Sequence, residues 1–172
     1  MNPLASSARA AVLTAPRQIE IREFPIPKLG NDEILVAVEG CGICGTDVHE
    51  YKRDPFGLIP VVLGHEGTGT IIAMGSGVSV DTAGQSLAIG DQIVTSVLVP
   101  EDCPFTKDFP AHSNLSDSLG VYGLFPDSES HHLNGYFATH IVIRGGSTIF
   151  KVNGMNLAQR MLIEPMAVTV HA

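Results

Sequence analysis

Basic residues are scarce. Ten lysines and arginines face eighteen aspartates and glutamates, giving a net charge of −8 at pH 7 in a chain of 172 residues. Such a chain lacks the cationic surface that phosphate backbones and anionic membranes demand, which excludes nucleic acid and membrane surfaces as partners. No apolar run approaches the roughly 18 residues of a spanning helix. The run near the N-terminus (MNPLASSARAAVLTAPRQ) is broken by Arg9 and Pro16, so no secretory signal is legible and the chain reads as cytoplasmic. Cysteine is sparse too: three residues, an odd number, argue against a disulfide framework. They leave metal or redox chemistry for Cys41 and Cys44, with Cys103 standing alone. What is present is ordinary for a folded protein, 44% apolar and 16% charged, in a length that holds one domain and a fraction more.

Eighteen glycines and eleven prolines punctuate short β-type runs. Alternation is readable in RAAVLTA (9–15), QIEIREF (18–24), EILVAVEG (33–40), GTIIAM (69–74), DQIVTSVLV (91–99), FATHIVI (137–143) and STIFKV (147–152). Strands separated by turns, with no amphipathic helices between them, predict a mainly β barrel or sandwich and not a doubly wound parallel sheet. Residues 101–135 mix Pro, Ser, Asp and His without period and read as a long excursion. From Asn156 helix formers take over, with one helix expected to end near Ile163 and a second to start at Pro165.

The densest chemistry is GCGICGTDVHEY (40–51). Its G-x-G-x-x-G and the acid Glu66, 21 residues past Gly45, imitate a dinucleotide fingerprint. That reading needs a helix opening at the third glycine, which Pro55 and Pro60 are expected to truncate. The Cys41-x-x-Cys44 pair would suit dithiol redox only at a helix start within a βαβ unit, which the pattern lacks. A third reading joins Cys44 to His65 of VVLGHEGTG, 21 residues on, as donors for a transition metal. Thiolate, imidazole and a carboxylate suit zinc with a position left open for substrate. Asp47 is placed to accept the second N–H of the imidazole, and Gly64, Gly67 and Gly69 are read as letting backbone approach the ion. His112, His131, His132, His140 and His171 read as solvated loop or strand residues.

These motifs, with GHEGTGTIIAMGSGV, GDQIV (90–94) and IEPMAVTVHA (163–172), resemble the zinc-containing medium-chain alcohol and polyol dehydrogenases in their GroES-like catalytic domain. The resemblance implies a partly open β-barrel with short helices over 1–155, and a C-terminal linker helix over 156–172 leading toward a Rossmann domain absent from this chain. Position by position, Cys44 and His65 match the family's first two zinc ligands and Asp47 the carboxylate behind the ligand histidine. The remaining ligand stays open between Glu66 and Glu164, the latter on motif and because Zn²⁺ with one thiolate favours a second anion. Thr46 matches the hydroxyl that takes the alcohol's proton, and His49 the imidazole that passes it to solvent through the cofactor ribose. His49 is thus the one residue of this chain that the resemblance sets against the cofactor. The implied chemistry is hydride transfer, with zinc polarising the oxygen of an alcohol, polyol, aldehyde or ketone and NAD or NADP held by the missing domain. A homo-oligomer is compatible with it. Many relatives carry four cysteines in the excursion for a structural zinc. With Cys103 alone there, one catalytic zinc and no structural zinc are expected. The alternative function is a stand-alone zinc-binding module without turnover.

Overall fold

The computed structural model describes residues 6–100, 103–109, 112, 115–116, 119–128 and 132–171. Ten strands and four helices are assigned within them. The first sheet pairs β1 (Ser7–Ala15) with β2 (Gln18–Pro25) on one side and β4 (Val61–Val62) on the other. The second has the order β10-β6-β5-β3-β9, from β3 (Ile34–Cys41), β5 (Gly67–Met74), β6 (Gln92–Thr95), β9 (His140–Ile143) and β10 (Ile149–Lys151). A third pairs β7 (Leu98–Pro100) with β8 (Leu119–Val121). Every pairing among the described strands is antiparallel. The isolated bridge Ala10↔Ala138 ties β1 to the segment that leads into β9, so the sheets wrap into the expected mainly β, partly open barrel.

The alternation of the sequence explains the wrap. Ile34, Val36, Ile71, Ile93, Ile141 and Ile143 share one cluster with Tyr122 and Tyr136, and Ala8, Ala10, Val12, Leu35, Val62 and Val142 form another. Each large aliphatic side chain so buried is worth about 1.5–3 kcal/mol. β2 is an edge strand exposed along nearly its whole length, with charged Glu20, Arg22 and Glu23 interrupting the apolar Ile19 and Ile21, an arrangement that blunts edge pairing.

The run 91–99 breaks at Ser96-Val97 into β6 and β7, because the chain turns from the second sheet to the third there. β4 and β8, of two and three residues, are too short to show alternation. Within the described part of the excursion lies a five-residue helix, α2 (Pro104–Asp108). A helix does open at Gly45, against the sequence expectation. α1 (Gly45–Arg53) runs nine residues before Asp54 adopts a left-handed conformation (φ 49°). The strands on either side of it, β3 and β4, belong to different antiparallel sheets and form no βαβ unit, so the dinucleotide reading still fails. Near the C-terminus, α3 (Leu157–Met161) is capped by Asn156, whose side chain accepts from Gln159 N. α4 (Ile163–His171) starts two residues before the expected Pro165, which sits in the first turn where its missing N–H is not needed. α4 exposes Met166, Val168 and Val170. No described helix is long and apolar enough to cross a membrane.

The glycines of the GHEGTG run are each closed in by neighbouring groups that leave no room for a side chain. Gly64 (φ +93°) lies against Phe137, and a Cβ on Gly69 would fall 2.1 Å from the Ala37 carbonyl oxygen. A Cβ on Gly67 would fall 2.0 Å from the Tyr136 ring. That ring is 2% exposed, and its hydroxyl is hydrogen bonded to Thr95 Oγ1 at 2.9 Å, so it has no room to retreat. Gly67→Ala is therefore expected to cost about 1–3 kcal/mol, read as a Tm lowered by several degrees in a thermal melt. An unchanged Tm would show that the ring moves freely.

Candidate metal centre

The ladder between β3 and β5 builds the site. Gly40 pairs with Thr68 and Cys41 with Gly67, and the ladder continues one step further as Gly42 N donates to Glu66 O at 3.0 Å. Two loops distant in sequence are thereby held side by side, one leading to Cys44 and the other carrying His65 and Glu66. Their donor atoms, one thiol sulfur, one imidazole nitrogen and one carboxylate oxygen, all lie within 4.8 Å of one another.

Local chemistry fixes each arm. Cys44 is the N-cap of α1, and its backbone N–H donates to Asp47 Oδ2 at 2.8 Å. The other Asp47 oxygen accepts from Gly64 N at 3.1 Å. Asp47 is 2% exposed and thus ties the thiol loop to the residue before His65. Its carboxylate stands 3.7 Å from His65 Nδ1, beyond hydrogen-bonding distance, so the expected Asp47–imidazole hydrogen bond is replaced by two bonds to backbone N–H groups. His65 is buried, and its Nδ1 has no hydrogen-bond partner. Gly42 provides the space for Glu66, since a Cβ there would fall 2.1 Å from Glu66 Oε2.

The donor set fits a zinc-like ion: one soft thiolate, one carboxylate and the imidazole of a buried histidine whose Nδ1 has no hydrogen-bond partner. Glu164, on α4, is not in the 4.8 Å group. It lies close by: burial pushes its carboxyl up, with the neighbouring His65 drawing it down and Glu66 pushing it up. Thr46 is half-buried, its Oγ1 3.7 Å from Cys44 Sγ. His49, one turn further along α1, is exposed. A cavity of about 520 Å³ opens beside Glu66 and Gly42, walled by Leu157, Met161, Leu162 and Pro165.

Glu50 carries no motif and was not singled out in the sequence. One turn past Asp47 on the same face of α1, it is fully buried, and neither carboxylate oxygen has a hydrogen-bond partner. Burial and the nearby Asp54 push its carboxyl up. The i, i+3 spacing of two acids was the available signal, and it looks the same in a solvated helix.

The other histidines differ from a uniformly solvated set. His132 stacks on Phe24 with ring centroids 4.5 Å apart and bonds Asp127 Oδ1 at 2.8 Å, and burial draws His140 down. His112 is exposed, while His131 and the His171 side chain lie outside the described residues.

Among the thiols, burial pushes Cys41 up to about 12, and the pair lies between antiparallel strands with no βαβ unit around it, so neither observation supports the dithiol redox reading. Hydrogen bonds from Ser116 and Thr106 bring Cys103 down to about 7. Alkylation of Cys103 by iodoacetamide is thus expected to rise through pH 7 as the thiol ionises, with Cys41 unmodified over the same range. Peptide mass mapping reads both, and equal labelling of the two would contradict the difference.

An antiparallel, partly open barrel that holds thiol, imidazole and carboxylate donors between two neighbouring loops defines a β domain suited to a transition-metal ion. The chain belongs to the alcohol dehydrogenase GroES-like domain family, whose model matches residues 30–153. It is similar to the sorbitol dehydrogenase of Bacillus subtilis, 30% identical over 171 residues that cover 95% of this chain and 44% of that protein. Among solved structures it resembles an alcohol dehydrogenase of Thermotoga maritima with a TM-score of 0.79 and 29% identity, covering 92% of this chain and 44% of the other. It also resembles the NADP-bound structure described as a zinc-binding dehydrogenase of Sinorhizobium meliloti 1021, with a TM-score of 0.74 and 29% identity over 97% of this chain and 45% of the other. The chain thus spans less than half the length of these relatives.

Proposed function

We propose that the chain is the zinc-binding catalytic domain of an NAD(P)-dependent alcohol or polyol dehydrogenase. The observation that carries this is the convergence of Cys44, His65 and Glu66 within 4.8 Å, at the end of the β3–β5 ladder. Zinc held there supplies Lewis-acid polarisation of the substrate oxygen and a lowered pKa for the alcohol. Of Glu66 and Glu164, Glu66 is read as the third donor, a reading supported by its carboxylate lying within 4.8 Å of the Cys44 and His65 donor atoms, and Glu164 is assigned the adjacent acidic position.

The remaining work falls to α1. Thr46, next to the sulfur, both accepts and donates a hydrogen bond and so takes the alcohol's proton. His49 lies three residues on, hence on the same helical face, and its exposed imidazole is assigned the transfer of that proton to solvent through the cofactor ribose. Asp47 keeps the helix start and the His65 loop in register. With Cys103 as the one thiol of the excursion, one zinc per chain is expected. The sorbitol dehydrogenase relative favours a polyol or a related secondary alcohol as substrate. A zinc module without turnover is the less favoured reading, because the similar proteins are named as dehydrogenases. The test is nicotinamide reduction with a polyol panel, using this chain and a version extended past Ala172. The extended version is expected to bind nucleotide and turn over, and to stop when zinc is chelated. Failure of the extended version to bind any nicotinamide nucleotide would overturn the dehydrogenase reading.

A further inference from the structure

Arg160 is the charged residue that the site as described leaves without a task. It belongs to α3 and is 4% exposed, an unusual burial for a guanidinium. Its Nη1 lies 2.6 Å from Glu39 Oε2 on β3 and 3.4 Å from the Thr68 hydroxyl on β5, and its Nε has no partner. Both contacts are themselves anchored. Thr70 Oγ1 donates to Glu39 Oε1 at 2.6 Å, and Thr68 Oγ1 donates to Ile93 O on β6 at 2.8 Å. The Thr70 hydroxyl, and after it Arg160, hold the Glu39 carboxyl below its ordinary range, so the pair stays charged at neutral pH.

The positions of the two partners matter. Glu39 lies five residues before Cys44 on the strand that feeds the thiol loop, and Thr68 lies three residues after His65 on the strand that leaves the imidazole loop. Arg160 itself lies four residues before Glu164, with Leu162 N bonded back to Ala158 O so that α3 passes directly into α4. One buried cation therefore bonds to both donor-bearing segments and is carried by the helix that leads into Glu164. α3 also packs against β3: a Cβ on Gly40 would fall 2.6 Å from Met161 Sδ, so side-chain packing and the ion pair hold the same helix to the same strand.

We propose that Arg160 is a positioning residue of the metal centre, setting the Cys44 loop, the His65–Glu66 loop and Glu164 at fixed spacing through Glu39 and Thr68. This rests on the reading of Cys44, His65 and Glu66 as metal donors. A group that orients metal ligands from behind alters affinity and geometry at the metal, whereas a group that only stabilises the fold lowers the melting temperature and leaves the coordination spectrum of the folded, metal-bound chain unchanged.

The experiment is a titration of the 172-residue chain with Co²⁺. It follows the thiolate-to-cobalt charge-transfer band and the visible ligand-field bands, alongside thermal melts without metal. The variants are Cys44→Ser, Arg160→Met, Arg160→Lys and Glu39→Gln. Arg160→Met is expected to weaken Co²⁺ binding about 10- to 100-fold and to shift the ligand-field bands, with Arg160→Lys recovering part of both. Should Arg160→Met fail to fold, Glu39→Gln carries the test, since its side chain is one-third exposed and its volume is kept; the same direction of change is expected. An Arg160 or Glu39 variant that melts earlier yet binds Co²⁺ with the unaltered affinity and spectrum overturns the proposal. A different result overturns the metal reading and with it the proposal: no Co²⁺ binding by the unaltered chain, or a charge-transfer band undiminished in Cys44→Ser.

Discussion

Replacing Cys44 with serine is expected to weaken zinc binding by more than about 100-fold, beyond the upper end of what losing a supporting group costs. The thiolate is the softest of the three clustered donors and one of only two that carry charge, so the serine variant leaves a neutral imidazole and a single carboxylate. The loss also reaches stability, because an ion that binds only the folded chain stabilises it by about 2.7 kcal/mol at a free concentration 100 times its Kd. The unaltered chain is therefore expected to melt several degrees higher with zinc than with a chelator, and Cys44→Ser to melt at one temperature in both. Isothermal titration and paired melts read the two effects. A serine variant that kept the zinc-dependent rise would remove Cys44 from the ligand set.

Asp47→Ala is expected to be the most damaging substitution for the fold. The buried carboxylate accepts from the backbone N–H of Cys44 at 2.8 Å and of Gly64 at 3.1 Å. Each hydrogen bond to a charged group contributes about 1.5–3 kcal/mol, and alanine would leave both N–H groups without an acceptor. A total of about 3–6 kcal/mol lowers Tm by roughly 10 °C or more in a domain of this size. Asp47→Asn keeps one acceptor oxygen and turns an NH₂ toward the second N–H, so about half that loss is expected. Zinc affinity is expected to fall with stability, about 10- to 100-fold, because the two loops that Asp47 ties together carry Cys44 and His65. Equal melting of the alanine variant and the unaltered chain in a denaturation series would show that water replaces both bonds.

The central fold and the donor cluster were legible because the signals behind them are local. Alternation in EILVAVEG and GTIIAM gave two antiparallel strands, and the ladder that pairs Gly40 with Thr68 follows from their length and the loops between them. Once those strands pair, Cys44 and His65 must meet, since each stands a few residues past the end of the ladder. What stayed hidden depends on contacts between distant residues. The need for glycine at 64, 67 and 69 is set in the fold by Phe137, Tyr136 and the Ala37 carbonyl, which occupy the space beside them and lie far away in sequence. Asp47 has the spacing of an imidazole partner, yet backbone N–H groups claim its oxygens first, one of them on its own helix start. α1 forms despite the prolines downstream because Asp54 takes the left-handed conformation and ends the helix before Pro55 is reached. Arg160 sits among ordinary helix formers, and only the packing of α3 on β3 shows that it is buried.

The most direct measurement is X-ray absorption at the zinc edge on the purified chain, with zinc content determined in parallel. One zinc per chain is expected, with a first shell containing a single sulfur at about 2.3 Å and nitrogen or oxygen donors at about 2.0–2.2 Å. A chain that retains no zinc, a shell without sulfur, or a shell of several sulfurs would contradict a centre built from Cys44, His65 and Glu66.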